Sequence, residues 1–284
     1  MKAQFLTSLI ALSCLTCGCT ERREGLGGGG LAKTKVTVLR VDNGGEAGGA
    51  AAAGGAEMIT TFGTFKGRVV VKGAVPQLTP LVREGDPSVK DAICRANTIP
   101  NETVVAGPDG GLANVFVYLR RVPKNVEVPV APETPFEMDQ VGCKFVPHAS
   151  IVRVGQPILL KNSDSTNHNV KAKGLSFTIN RTVGPNTDAA NAPVEVARKR
   201  ENSPAEIVCD FHAWMRGWVL PLDHPWGTVT GDSGEFEIAG VPAGEMEFSV
   251  YHEGKPLGTY KAKISPDAPV EQIIEVDPSS LGAN

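Results

Sequence analysis

From Lys66 to Val276 the chain is cut into short runs of apolar and β-branched residues, each closed by Gly, Pro, Asn or Asp. KGRVVVKG (66–73), ANVFVYLRR (113–121), ASIVRVGQPILLKN (149–162), AEIVCDF (205–211) and GWVLPL (217–222) come first. GEFEIAG (234–240), EMEFSVYHEG (245–254), LGTYKAKI (257–264) and VEQIIEV (270–276) follow. In several of them apolar and polar residues alternate, as at Glu247, Phe248, Ser249 and Val250, which is the period of a strand with one buried face. Short strands repeated between turns predict an all-β sandwich or barrel. One stretch reads as helix: in DPSVKDAICRAN (86–97) Asp86 can cap, Pro87 can take the first helical position, and Val89, Ala92 and Ile93 share a face.

The N-terminus is of another kind. Lys2 precedes an apolar run, Phe5–Leu15, that is too short to span a bilayer. Small residues and cysteines then lead to Cys19, so residues 1–19 read as an export signal. The ending TCGC resembles a bacterial lipobox, in which Cys19 becomes the lipidated first residue; a plain secretion signal is the alternative. Residues 20–60, with GGGG at 27–30 and AGGAAAAGGA at 47–56, hold too little apolar bulk to pack and read as a flexible tether. The expected location is the periplasm or cell envelope, on a membrane by a lipid anchor. A formal charge of −3 predicts no general attraction to nucleic acid.

Beyond the tether, the pattern divides into a β extension with its short helix (61–140), a central β region (141–222) and a β tail (223–284). At about 60 residues the tail is small for a core of its own and is expected to pack on the preceding sandwich. If Cys14, Cys17 and Cys19 are consumed by export, the mature chain keeps Cys94, Cys143 and Cys209. An odd number in an oxidising compartment suggests one disulfide and one thiol held by something else.

The densest group of metal-ligand types is CDFHAWM at 209–215. Alone, a Cys-x2-His-x2-Met spacing is a weak signal, since a buried cysteine beside a surface histidine gives the same letters. Upstream, CKFVPHASIVRVGQPILLKNSDSTNHNVKAKG (143–174) runs from Phe145 and Pro147 through a turn at Val154–Gln156 and a polar N-S-D turn to His168 and Asn169. These features together resemble the cupredoxin family over residues 143–222, the 209–215 loop being similar in length to that of amicyanins. The resemblance implies a Greek-key cupredoxin β-sandwich and one type 1 copper. His168 and His212 would give two imidazoles, Cys209 the thiolate and Met215 a weak axial thioether. Asn169 would tie the His168 loop to the Cys209 loop by hydrogen bonds.

With Cys209 assigned in this way, Cys94 and Cys143 are left to form a disulfide stapling the N-terminal extension to the core. A two-copper centre would need two cysteines in the 209–215 loop, which has only Cys209. The tail, with Asp232–Gly234 before Phe236 and VPAG at 241–244, resembles the transthyretin-like or carboxypeptidase regulatory-like β-sandwich repeats.

His148 reads as exposed, and His224 and His252 as turn or interdomain residues; a second metal site built from these with Glu253 has no supporting spacing. Phe211, Trp214 and Trp218 are candidates to shield the metal and to form an apolar docking patch beside an exposed edge of His212. The expected function is copper-based electron transfer with an unidentified redox protein, such as a cytochrome c, docking near His212. Copper delivery without redox turnover, or a metal-free binding sandwich, are the alternatives. An enzyme is not expected, because Met215 fills the position that a copper enzyme leaves open and no triad or carboxylate pair is evident.

Overall fold

A computed structural model of the chain describes residues 57–281. The export signal, Cys19, most of the tether and the VTVLRV stretch (36–41) lie outside the described residues. Among those described, no helix is long and apolar enough to cross a membrane.

The described chain is nearly all strand. It begins with β1 (Phe62–Val71), one helical turn α1 (Ala92–Arg95), β2 (Phe116–Leu119), β3 (Phe136–Gln140), β4 (Phe145–Val146), β5 (Ala149–Arg153) and β6 (Pro157–Leu160). Then come β7 (His168–Lys173), β8 (Thr178–Val183), β9 (Val194–Val196), β10 (Ala205–Val208) and β11 (Arg216–Leu222). The last strands are β12 (Gly227–Val229), β13 (Glu235–Pro242), β14 (Gly244–His252), β15 (Lys255–Ile264) and β16 (Val270–Val276).

The strands form two β-sandwiches. In the first, the sheet β13-β1-β16 faces the sheet β12-β2-β14-β15. Their shared core is built on Phe65, whose ring stacks on Phe248 at 4.1 Å and tilts against Phe236 at 5.3 Å. Burying one such phenylalanine stabilises the fold by roughly 2–3 kcal/mol. β1 runs antiparallel to β13 and parallel to β16, while β2 lies between β12 and β14. The tail residues therefore complete their core with β1 and β2 from the far end of the chain, as a segment too small to bury its own apolar faces must.

In the second sandwich the sheet β5-β11-β10-β7-β8 packs on β4-β3-β6-β9 around Met138, Phe145, Ile158, Leu160, Val170 and Val219. Val82, Val89, Cys94 and Ile99 from the segment around α1 join this core. Phe116, Tyr118, Leu220 and Leu222 form a third apolar cluster that links β2 to β11. Ser249, on the polar phase of β14, is buried opposite Tyr118 because that face meets other protein and not water.

Two local expectations are corrected. The helix spans only Ala92–Arg95, and its cap is Asp91, whose carboxylate accepts from the Ile93 and Cys94 N–H groups at 2.9 and 3.2 Å. Asp86 instead accepts from the backbone and hydroxyl of Ser88 at 2.9 and 2.7 Å, a local turn that competes with helix. His148 is not exposed: its Nε2 lies 2.7 Å from Glu253 Oε1 and its side chain keeps 10% exposure.

Candidate metal centre

β10 lies between β7 and β11, with Val208 opposite both Lys171 and Arg216. Residues 209–215 are thus a hairpin loop, and His168, the first residue of β7, begins the neighbouring strand. The loop is closed by its backbone: Met215 donates to the His212 carbonyl at 2.9 Å and Cys209 donates to the Met215 carbonyl at 3.3 Å.

This folding brings His168 and Cys209 together across 41 residues of sequence. His168 Nδ1 and His212 Nδ1 are 3.0 Å apart, and Cys209 Sγ is 3.7 Å from His212 Nδ1. One ligand atom from each of His168, Cys209 and His212 falls within 4.8 Å of the others, and all three residues are buried. Cys209 is the free cysteine of the described residues. Met215 is buried in the same core cluster as Cys209.

Asn169 connects the two ligand-bearing segments. Its backbone N–H points at Cys209 Sγ at 3.3 Å, and its side-chain oxygen accepts from the Asp210 N–H at 3.1 Å. Its amide nitrogen donates to Asn180 Oδ1 at 2.7 Å, which fixes the rotamer.

Two carboxylates that carried no signal in the sequence stand behind the histidines. Asp164 Oδ2 is 2.8 Å from His168 Nε2, and the same side chain accepts from the Gly142 and Cys143 N–H groups at 2.7 and 2.8 Å. Asp91 Oδ2 lies 3.5 Å from His212 Nε2 and accepts from the Thr166 hydroxyl at 2.6 Å. An ionised carboxylate can only accept, so Asp164 holds the Nε2 proton of His168 and leaves Nδ1 facing the thiol.

Burial pushes the Cys209 thiol up, but hydrogen bonds from His168, His212 and the Asn169 and Phe211 backbone outweigh it and bring it down to about 6. Burial pushes His168 down, but Asp164 and Cys209 outweigh it and raise it to about 9. Between these values the pair is an imidazolium beside a thiolate.

Cys94 and Cys143 form a disulfide, with Cα atoms 5.6 Å apart. It covers the site: Cys94 Sγ is 3.6 Å from His212 Nε2, and His212 keeps only 5% exposure. The exposed edge of His212 expected as a docking point is therefore absent, because the α1 segment and its disulfide lie over it. Trp214 does pack on His212, with ring centres 5.1 Å apart, and Phe211 is exposed. Trp218 turns to the other sandwich and donates from Nε1 to Glu253 Oε2 at 2.9 Å.

The remaining histidines are buried elsewhere. His224 accepts the Trp226 N–H at Nδ1 and stacks on the Trp226 ring, and burial lowers it to about 4. His252 is lowered by burial to about 4 as well. Both are neutral near pH 7.

Two nitrogens and a thiolate converging in a buried pocket suit a copper ion, which such a mixed hard and soft set holds in either oxidation state. No family model matches the chain, and no curated protein matches it. Among solved structures, the amicyanin of Paracoccus versutus is 17% identical, covering 37% of this chain and 97% of that one, with a TM-score of 0.26. A purple cupredoxin of Nitrosopumilus maritimus is 18% identical over 31% of this chain and 99% of its own, with a TM-score of 0.25. A copper-containing nitrite reductase of Thermus scotoductus is 16% identical over 47% of this chain and 33% of its own, with a TM-score of 0.29. At such scores these likenesses assign neither a family nor an activity.

Proposed function

We propose that this chain is an exported copper protein that carries single electrons, with His168, Cys209, His212 and Met215 as the residues that would hold the ion. The observation that carries the reading is the convergence of His168 Nδ1, Cys209 Sγ and His212 Nδ1 in a buried, thiolate-stabilising site. Copper, when bound, would supply the one-electron Cu(II)/Cu(I) couple. The chain's own residues do the rest. Asp164 orients His168, Asn169 holds the Cys209 loop, and the surrounding apolar core would limit movement of these side chains on a change of oxidation state. Met215, bound to the ion, would fill the position that a copper enzyme leaves to water or substrate, which favours a carrier over an enzyme. The redox partner is proposed to approach over Phe211 and Trp214, and lipidation of Cys19 to anchor the chain.

Reconstituting the purified soluble chain with Cu(II) tests the reading. The expected result is an intense thiolate-to-copper band in the visible range, bleached by ascorbate and restored by oxidant. A colourless complex would sink the assignment of Cys209, and a band that cannot be cycled would leave copper binding without electron transfer.

A further inference from the structure

Each sulfur of the disulfide belongs to a further group of ligand atoms, and each group includes one of the two histidines. Asp91, Cys94 and His212 have one ligand atom each within 4.8 Å of one another, and so have Cys143, Asp164 and His168. The two groups are joined through the Cys94–Cys143 bond itself. From the geometry we infer that the disulfide is a masked second metal site, exposed by reduction, for a thiophilic divalent ion such as zinc. Its ligands are the Cys94 and Cys143 thiolates, His212 Nε2 and the Asp91 carboxylate.

Distances already present support the assignment. In a tetrahedral site with metal–sulfur bonds of about 2.3 Å and metal–nitrogen bonds of about 2.0 Å, neighbouring ligand atoms lie about 3.5 Å apart. Cys94 Sγ to His212 Nε2 is 3.6 Å, and His212 Nε2 to Asp91 Oδ2 is 3.5 Å, so two edges of such a tetrahedron stand ready. Asp91 is held in place by the Thr166 hydroxyl and by two backbone N–H groups. Cys143 Sγ, bonded to Cys94 Sγ, is the fourth ligand and is freed by reduction.

The chemistry balances with a dithiol as reductant. The dithiol gives two electrons and two protons, becoming a disulfide, while the Cys94–Cys143 bond breaks to two thiols. A divalent ion then displaces both thiol protons to solvent and gains two thiolates. Because His212 would face the Cys209 pocket through Nδ1 and the new site through Nε2, the two sites share one imidazole. Reduction of the disulfide would thus set the second ion in competition with the first for that ring.

Cobalt(II), whose thiolate absorption and tetrahedral ligand-field bands report its ligands, is the probe. A Cys209→Ser variant of the chain without residues 1–19, in which Cys94 and Cys143 are the remaining cysteines, removes the thiolate of the first site. In its oxidised form it is expected to give no thiolate-to-cobalt absorption. After treatment with dithiol and anaerobic desalting, it is expected to bind one equivalent with the absorption of two thiolates. Asp91→Asn, introduced into the same variant, should weaken that binding about tenfold or more. The inference is overturned if the reduced variant, with two thiols confirmed by titration, binds no cobalt. It is overturned equally if reduction abolishes the far-ultraviolet β signature, or if Asp91→Asn leaves the affinity unchanged. Copper colour in the unsubstituted chain is scored separately, so failure of the Cys209 site and failure of this site are distinguishable.

Discussion

His212 Nε2 lies 3.6 Å from Cys94 Sγ, although the two residues are separated by 118 positions in the chain. The contact sets what the site can do. An imidazole that reaches a metal through Nδ1 normally has its far edge free to meet another protein; here that edge is closed by a disulfide and by Asp91. If the chain carries electrons as proposed, Trp214, whose ring lies against His212, and the disulfide sulfurs are the groups next to that imidazole.

Cys209→Ser and Met215→Leu should separate the roles within the loop. The serine variant is expected to lose the thiolate-to-copper band entirely. Met215→Leu conserves volume in a buried position, so its stability should fall by less than about 1.5 kcal/mol. Its colour should persist while its reduction potential rises, since removing a weak donor sulfur disfavours Cu(II). Spectroelectrochemistry of the two variants checks both statements; an unchanged potential would remove Met215 from the ligand set.

Metal affinity should depend on pH in a defined window. Cys209, lowered to about 6, is already a thiolate above that value, whereas His168, raised to about 9, still carries its extra proton. With Asp164 fixing Nε2–H, that proton sits on Nδ1, between His212 and the thiolate, and an incoming ion must displace it. Affinity should therefore rise about tenfold per pH unit between these two values and level off above the higher one. Below the lower value it should fall more steeply, as Cys209 is protonated too. Competitive metal titrations across the range measure the slope, and a flat profile would contradict the assigned protonation of His168.

Asp164→Asn tests the carboxylate behind His168. Without the negative charge, His168 should titrate well below its present value of about 9, and metal affinity should fall about 10–100-fold. The pH at which affinity levels off should move down with it. That shift distinguishes an orienting role from a merely structural one, because the hydrogen bonds from the Gly142 and Cys143 N–H groups would be perturbed by either.

The parts of this site legible in the sequence are those that depend on local pattern. Cys209, His212 and Met215 share one loop between apolar-periodic strands, and His168 and Asn169 follow a polar turn, but their convergence was implied by the resemblance of residues 143–222 to cupredoxins and not by spacing alone. Asp91 and Asp164 were not legible. Each is an aspartate in a polar turn, indistinguishable by its neighbours from Asp86, and only the fold decides which of them faces a histidine. The same holds for β1 between β13 and β16. Its alternation announces a strand, but the choice of partners 173 and 205 residues from Phe65 (Ile238 and Val270) is made by the burial of Phe65 against Phe248 and not by any local signal. His148 reads as a surface residue because its partner Glu253 belongs to the other sandwich.

Removing the disulfide should cost stability even where the metal site survives. The bond closes a separation of 49 residues, for which the chain-entropy model gives about 4 kcal/mol. Cys94→Ser combined with Cys143→Ser should lower the denaturation midpoint accordingly, as measured by guanidinium unfolding. A loss below about 1 kcal/mol would mean that the unfolded chain is not constrained as that model assumes.

Gly254→Ala should disturb the contact between the sandwiches more than its size suggests. Glu253 and Gly254 form the two-residue turn between β14 and β15, with φ of 47° and 69°, the positive values that a tight hairpin requires. A Cβ at Gly254 would meet the Trp218 ring at 2.3 Å, far inside van der Waals contact. Strain at positive φ contributes about 1–2 kcal/mol and displacement of a packed indole about 1–3 kcal/mol, so a destabilisation of roughly 2–4 kcal/mol is expected. Glu253, held in the same turn, would lose its hydrogen bonds to Trp218 and His148 as the ring moves. Tryptophan fluorescence and denaturant unfolding measure the effect. A variant as stable as the parent, with unchanged emission, would show that the turn can rotate away from Trp218 and that this contact does not hold the two sandwiches together.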